Sequence, residues 1–234
     1  MKVEIYSDVM CPWCYIGERR FARALAAFPG AEEVEVIFRP FQLDPGAPDA
    51  AVPLKRYLTE RYGPRSEAML SQVSAAASGE RITIDWENAL SVNTRTAHRM
   101  LRLAEREYGP DVQRALLERL FDAHFSKGGD VADADMLTRL AVEAGMGEQR
   151  VRDYLASDEG AADLEREFDH ARAIGVRSVP TFVFDGQYAV EGAQPASTFL
   201  QVLEEVHQRS EPESGSAVGG EGEDACADGS CAVG

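Results

Sequence analysis

Along "VEIYSD" near the start of the chain, apolar and polar side chains alternate and put Val3 and Ile5 on one face. The same period returns in "VEVIFRPFQL", where Val34, Val36 and Phe38 alternate with Glu33, Glu35 and Ile37. A period of two predicts strands. Between them the spacing changes: from Pro12 to Phe28, the residues Cys14, Phe21, Leu25 and Phe28 fall on one helical stripe, which Pro29-Gly30 ends. Strand, helix and strand form a βαβ unit. After "DPGAP" at 44–48 the pattern turns helical for about 120 residues, broken at Gly63-Pro64, Gly109-Pro110, Gly128-Gly129 and Gly145. "RTAHRMLRLAEREY" and "DVQRALLERLFDAHF" are its most periodic segments. Then "VPTFVFDGQYAVEG" predicts a hairpin turning at Asp185-Gly186, followed by a helix with Phe199, Leu203 and Val206 on one face. Strands therefore flank a helical insertion, and the expected fold class is α/β. Past Arg209, six acidic and no basic residues, with almost no large apolar side chain, predict a disordered tail.

Charge narrows the function. Forty acidic residues against 24 basic ones give a formal net charge of -16, which repels phosphate backbones and anionic bilayers and excludes nucleic acid and membrane as general partners. No apolar run approaches the roughly 20 residues of a membrane span, and the first residues lack the pattern of a secretory leader. The expected location is the cytoplasm, where reduced thiols make close cysteine pairs catalytic or metal-binding more often than structural.

The first such pair, Cys11 and Cys14 in "CPWC", sits at the junction of strand and helix. Pro12 suits the first helical position, which leaves Cys11 at the cap. Its sulfur then meets the positive end of the helix dipole and free N–H groups, both of which favour thiolate and make Cys11 the attacking or leaving group. Cys14, one turn on and part of the apolar stripe, is expected to be the more buried partner and to resolve the mixed disulfide that Cys11 forms. The competing readings are a zinc half-site and a packing pair. Zinc needs four ligands, and apart from the tail the chain offers only His98, His124, His170 and His207 on separate predicted helices. No metal and no cofactor are expected.

Pro180 stands at the entry of a strand in "GVRSVPTFVF", a position where proline is unusual. Taken together and in this order, "SDVMCPWCYIG", "FRPFQLDP", "NTRTAHRM", "GVRSVPTFVF" and "VEGAQP" resemble the DsbA-like thioredoxin family, most closely its cytosolic FrnE-type branch, over roughly residues 1–208. The resemblance implies a thioredoxin fold with a helical domain inserted between its βαβ and ββα halves: 1–49 for the first half, 50–165 for the insertion, 166–208 for the second half and 209–234 for the tail. It implies thiol–disulfide oxidoreductase activity on protein or small-molecule thiols and disulfides, with Cys11 as nucleophile, Cys14 as resolving thiol and Val179-Pro180 as a cis-proline loop facing them. It also admits a homodimer. Where periplasmic DsbA has Pro-His between its cysteines, this chain has Pro12-Trp13, so strong oxidising power does not carry over. The related hydroxychromene carboxylate isomerases and kappa-class glutathione transferases share much of the motif set, but they use a serine and lack the second cysteine. A glutathione-dependent isomerase or transferase is one alternative, and a metal-sequestering cysteine protein is another.

Further residues join the candidate site. Pro12, Trp13 and Val179 are placed against substrate, Trp13 as a stacking platform; His98 is placed as a lining residue of the cleft, and Asp8 as a proton relay to Cys14. In the tail, Cys226 and Cys231 form "CADGSC", whose four intervening residues let the sulfurs meet. About 18 residues link them to the last predicted helix, a flexible span of roughly 23 Å, which brings this second dithiol within reach of Cys11 for electron exchange. The resemblance supports such an exchange, since some FrnE-type proteins carry a C-terminal cysteine extension.

Overall fold

The computed structural model describes residues 1–210; Cys226 and Cys231 lie outside the described residues. The chain opens with β1 (Lys2–Ser7), α1 (Pro12–Ala27) and β2 (Glu35–Pro40). The inserted segment holds β3 (Val52–Pro53), α2 (Leu54–Tyr62), α3 (Arg65–Gly79), β4 (Leu90–Ser91), α4 (Arg95–Tyr108), α5 (Pro110–Phe121), α6 (Ala134–Glu143) and α7 (Glu148–Leu155). The helix α8 (Ala161–Ala173), β5 (Thr181–Phe184), β6 (Tyr188–Glu191) and α9 (Ala196–Ser210) complete the described chain. Position 165, the expected end of the insertion, falls inside α8. No helix among the described residues is long and apolar enough to cross a membrane.

Four strands form one sheet in the order β2-β1-β5-β6. β1 runs parallel to β2, with Ile5 opposite Phe38, and antiparallel to β5, with Ile5 opposite Phe182. The hairpin turns where expected: Asp185 and Gly186 both take positive φ, 48° and 67°, the geometry that matches the twist of two antiparallel strands. Val3, Ile5, Phe182 and Phe184 share the face covered by α1 and α9, where Phe21 lies 5.4 Å from Phe182 and Phe199 lies 4.4 Å from it, centroid to centroid. On α9, Phe199, Leu203 and Val206 are buried, as their spacing predicts.

The insertion departs from an all-helical reading. A two-residue ladder pairs Val52 with Ser91 and Pro53 with Leu90, too short to leave any alternation in the sequence. At its far end α5 does not run on through "DAHF" but widens into a π turn at Asp122–Ser126. The helix breaks fall at the expected glycines; Gly63 and Gly109 have φ of 58° and 93°, which a side chain would oppose. Polar ties hold the insertion to the sheet layer. Gln113 of α5 clasps β2, its Oε1 accepting from the Phe38 N–H and its Nε2 donating to the Phe38 carbonyl, both at 2.9 Å. Glu80, just past α3, binds Arg20 at 2.7 Å and Arg23 at 3.0 Å on α1.

Candidate active site

The turn between β1 and α1 is built by backbone bonds. The Cys11 N–H donates to the Asp8 carbonyl at 3.0 Å, and the Cys11 carbonyl accepts from the N–H groups of Cys14 and Tyr15 at 3.0 and 3.4 Å. Cys11 is the N-cap of α1 in an extended conformation and Pro12 is the first helical residue, the arrangement in which proline forfeits no hydrogen bond. Both thiols are free. They are equally covered, at 2% exposure each, so exposed area alone does not separate their roles as the sequence suggested. Their surroundings do.

Cys11 borders an open cleft of about 390 Å³ between the start of α1 and the helices α2 and α3. Its thiol donates to the carbonyl of Val179 at 3.6 Å, and the Val179-Pro180 bond is cis. Pro12 and Trp13 border the same cleft, joined by Leu43, Met69 and Trp86. Cys14 faces inward. Burial pushes its thiol well above the usual range, the hydrogen bond to Cys11 adds to this, and the Asp8 N–H and the Ser7 hydroxyl at its sulfur oppose it.

His98 does not border the cleft. It is 2% exposed, and its Nε2 lies 3.2 Å from Asp8 Oδ1 behind the cysteine turn. Its place on the buried stripe of α4, between Thr94 and Leu101, accounts for this: a polar side chain on that stripe must find a buried partner. Asp8 is itself fully covered, and its carboxylate also accepts from the N–H groups of Leu43 at 2.7 Å and Met10 at 3.4 Å. Three donors hold it as a fixed anchor of the turn. Sequence reasoning missed Ser7 and Glu18. Glu18, one turn past Cys14 and 2% exposed, binds Arg114 of α5 at 2.9 Å, and burial pushes its carboxyl up. The signal for Glu18 was present, since it falls on the apolar stripe between Cys14 and Phe21.

Gly17 sets how closely α1 approaches the proline loop. A methyl group there would come within 2.9 Å of Pro180 Cγ and 3.5 Å of Ala193 Cα. Gly17→Ala gains about 1 kcal/mol of helix propensity but drives α1 away from the loop that faces Cys11. We expect the overpacking to outweigh that gain, so that the variant melts below wild type with far-ultraviolet circular dichroism unchanged; a Tm at or above the wild-type value would show that the close approach is dispensable.

Residues 2–204 match the family described as the DSBA-like thioredoxin domain. A probable DsbA oxidoreductase of Streptomyces coelicolor is 36% identical, with a TM-score of 0.82 over 98% of this chain and 100% of the other. The uncharacterized protein YwbO of Bacillus subtilis is 24% identical over 88% of this chain and 98% of its own length. The cytosolic disulfide reductase DsbM of Pseudomonas aeruginosa shares the fold, with a TM-score of 0.60 and 20% identity over 90% of this chain and 100% of the other.

Proposed function

The chain belongs to the DSBA-like thioredoxin domain family, and from that membership we propose that it is a thiol–disulfide oxidoreductase working through Cys11 and Cys14. The observation that carries the reading is the Cys11 thiol at the cap of α1, held 3.6 Å from the Val179 carbonyl on the wall of an open cleft. In the reducing direction, the Cys11 thiolate attacks one sulfur of a substrate disulfide and forms a mixed disulfide, and the other substrate sulfur leaves as a thiolate that takes up a proton. Cys14 then loses its proton and attacks Cys11 Sγ. The bond between Cys11 and substrate breaks, the second substrate sulfur leaves with the electron pair, and the enzyme is left as the Cys11–Cys14 disulfide. Two electrons have passed to the substrate. The same steps in reverse oxidise a substrate dithiol.

The cleft favours a polypeptide disulfide with apolar flanks over glutathione. Leu43, Tyr62 and Met69, which border it, are 48%, 43% and 42% exposed, an apolar surface that a substrate chain would cover. Its charged side chains, Asp44 and Arg61, bind each other at 2.6 Å, and the Tyr57 hydroxyl donates to the same carboxylate at 2.7 Å. The carboxylates of glutathione therefore meet no uncommitted cation among the described residues of the cleft wall.

The test uses Cys14→Ser, which cannot resolve. Offered a cystine peptide with aromatic and aliphatic flanks, this variant should accumulate a mixed disulfide at Cys11, identified by mass mapping. Wild-type kcat/KM for the peptide should exceed that for glutathione disulfide by roughly tenfold or more, about 1.4 kcal/mol. Absence of any Cys11 adduct would refute the oxidoreductase reading, and a preference for glutathione disulfide would refute the substrate class.

A further inference from the structure

Resolution requires Cys14, a buried thiol, to give up a proton while a substrate covers the cleft. We propose that His98, through the Ser7 hydroxyl and a water between them, takes this proton and passes it to solvent on the side of the sheet away from the cleft. This rests on the reading of Cys14 as the resolving thiol.

Three observations place the path. Ser7, 5% exposed, presents its hydroxyl at the Cys14 sulfur. A cavity of about 10 Å³ touches both Ser7 and His98, with Arg39, Arg102 and Gln113 as its other polar neighbours in an otherwise apolar wall that includes Leu101 and Leu117; a single water needs about 10–15 Å³ and two or more polar partners. Arg39 and Pro40 in turn border a second, larger hollow of about 140 Å³, lined also by Glu4, Glu167 and the exposed His170. The route leads from Cys14 past Ser7 and His98 toward the surface beside β2, and Trp13, Met69 and the rest of the cleft wall take no part in it.

The chemistry selects His98 over Asp8. The Asp8 carboxylate already accepts from two backbone N–H groups as well as facing His98 Nε2. With Nε2–H directed at that carboxylate, Nδ1 is the ring atom with a lone pair to accept a proton. The cations nearest His98 are paired with other acids. Arg39 is paired with Glu4 at 2.7 Å and Glu105 at 3.9 Å, and Arg102 with Glu167 at 2.6 Å and Asp163 at 3.6 Å. From α8 the ring of Phe168 meets His98 edge-on at 5.7 Å, and from α5 comes the neutral Gln113. His124, also within the field of Asp8, has its imidazole pushed down by burial and stays neutral. In the step itself the Cys14 S–H bond breaks and its proton moves to the Ser7 oxygen as the Ser7 proton moves by way of the water to His98. The thiolate then attacks Cys11 Sγ and the substrate thiolate departs.

The experiment follows the two exchange steps separately by rapid quench over about pH 6 to 9. His98→Gln keeps an N–H donor for Asp8 but cannot take up a proton; Ser7→Ala removes only the hydroxyl. In wild type the rate of resolution should vary little with pH. In both variants it should fall at neutral pH by roughly tenfold to a hundredfold and rise steeply with pH. Formation of the mixed disulfide by Cys11, measured in the Cys14→Ser background, should stay within about twofold of the parent in both variants. If His98→Gln does not fold, Ser7→Ala decides alone. A wild-type pH profile in Ser7→Ala, or an equal loss in both steps, would overturn the proton path. Failure of the wild-type protein to form a Cys11 adduct at all would instead overturn the oxidoreductase reading beneath it.

Discussion

Cys11→Ser is expected to lower exchange to the background rate of the reagents, a loss on the order of a thousandfold, about 4 kcal/mol of barrier. Every step of the proposed cycle passes through this sulfur, and no other thiol borders the cleft among the described residues. Cys14 cannot substitute. Its thiol is held protonated by burial, and a protonated thiol is a poor nucleophile. Iodoacetamide should accordingly label Cys11 first in the reduced wild-type protein, and in Cys11→Ser should label Cys14 slowly at neutral pH. Mass mapping of the alkylated peptides checks both. Faster labelling of Cys14, or exchange above background in Cys11→Ser, would reverse the assignment of the two roles.

The second large effect is on stability. Phe182 is fully buried on β5, two residues past Pro180, with its ring against Phe21 and Phe199. Truncating such a side chain costs about 3–5 kcal/mol, against a total stability of about 5–15 kcal/mol for a domain. Phe182→Ala should lower Tm by roughly 10 °C and, because β5 leads directly from the proline loop, should weaken exchange even where the protein remains folded. Phe182→Leu, which keeps most of the volume, should cost less than about 1.5 kcal/mol. Thermal melts of the two variants test this, and equal Tm values for Phe182→Ala and wild type would show that the aromatic cluster does not hold the sheet.

The features legible in the sequence are those set by neighbours along the chain. β1, α1 and β2 follow from alternation giving way to a helical stripe, Cys11 at the cap follows from Pro12, and the hairpin follows from Asp185-Gly186, where positive φ is needed at both positions. The pairing of His98 with Asp8 spans 90 positions and depends on α4 packing behind the cysteine turn, which no local pattern encodes. What the sequence did contain was the anomaly: His98 and Glu18 each sit on an otherwise apolar helical stripe. A charge-bearing group on such a stripe implies a buried partner, yet its identity waits on the fold. The two-residue ladder and the π turn of the insertion are too short for periodicity to register. The shape of the cleft wall is hidden for the same reason as the His98 partner, because Leu43, Met69 and Trp86 come together from separate segments.

The clasp of Gln113 on Phe38 has a consequence for self-association. β2 is an outer strand, and an outer strand ordinarily offers its unpaired N–H and C=O groups to a strand of another molecule. Here the side-chain amide occupies both groups of Phe38, and Pro40 closes the strand without an N–H to offer. Recruitment of a foreign strand, by domain swapping or by fibrillar growth, is opposed at that end of β2, and at the opposite border β6 is a strand of only four residues that carries Glu191 at its end.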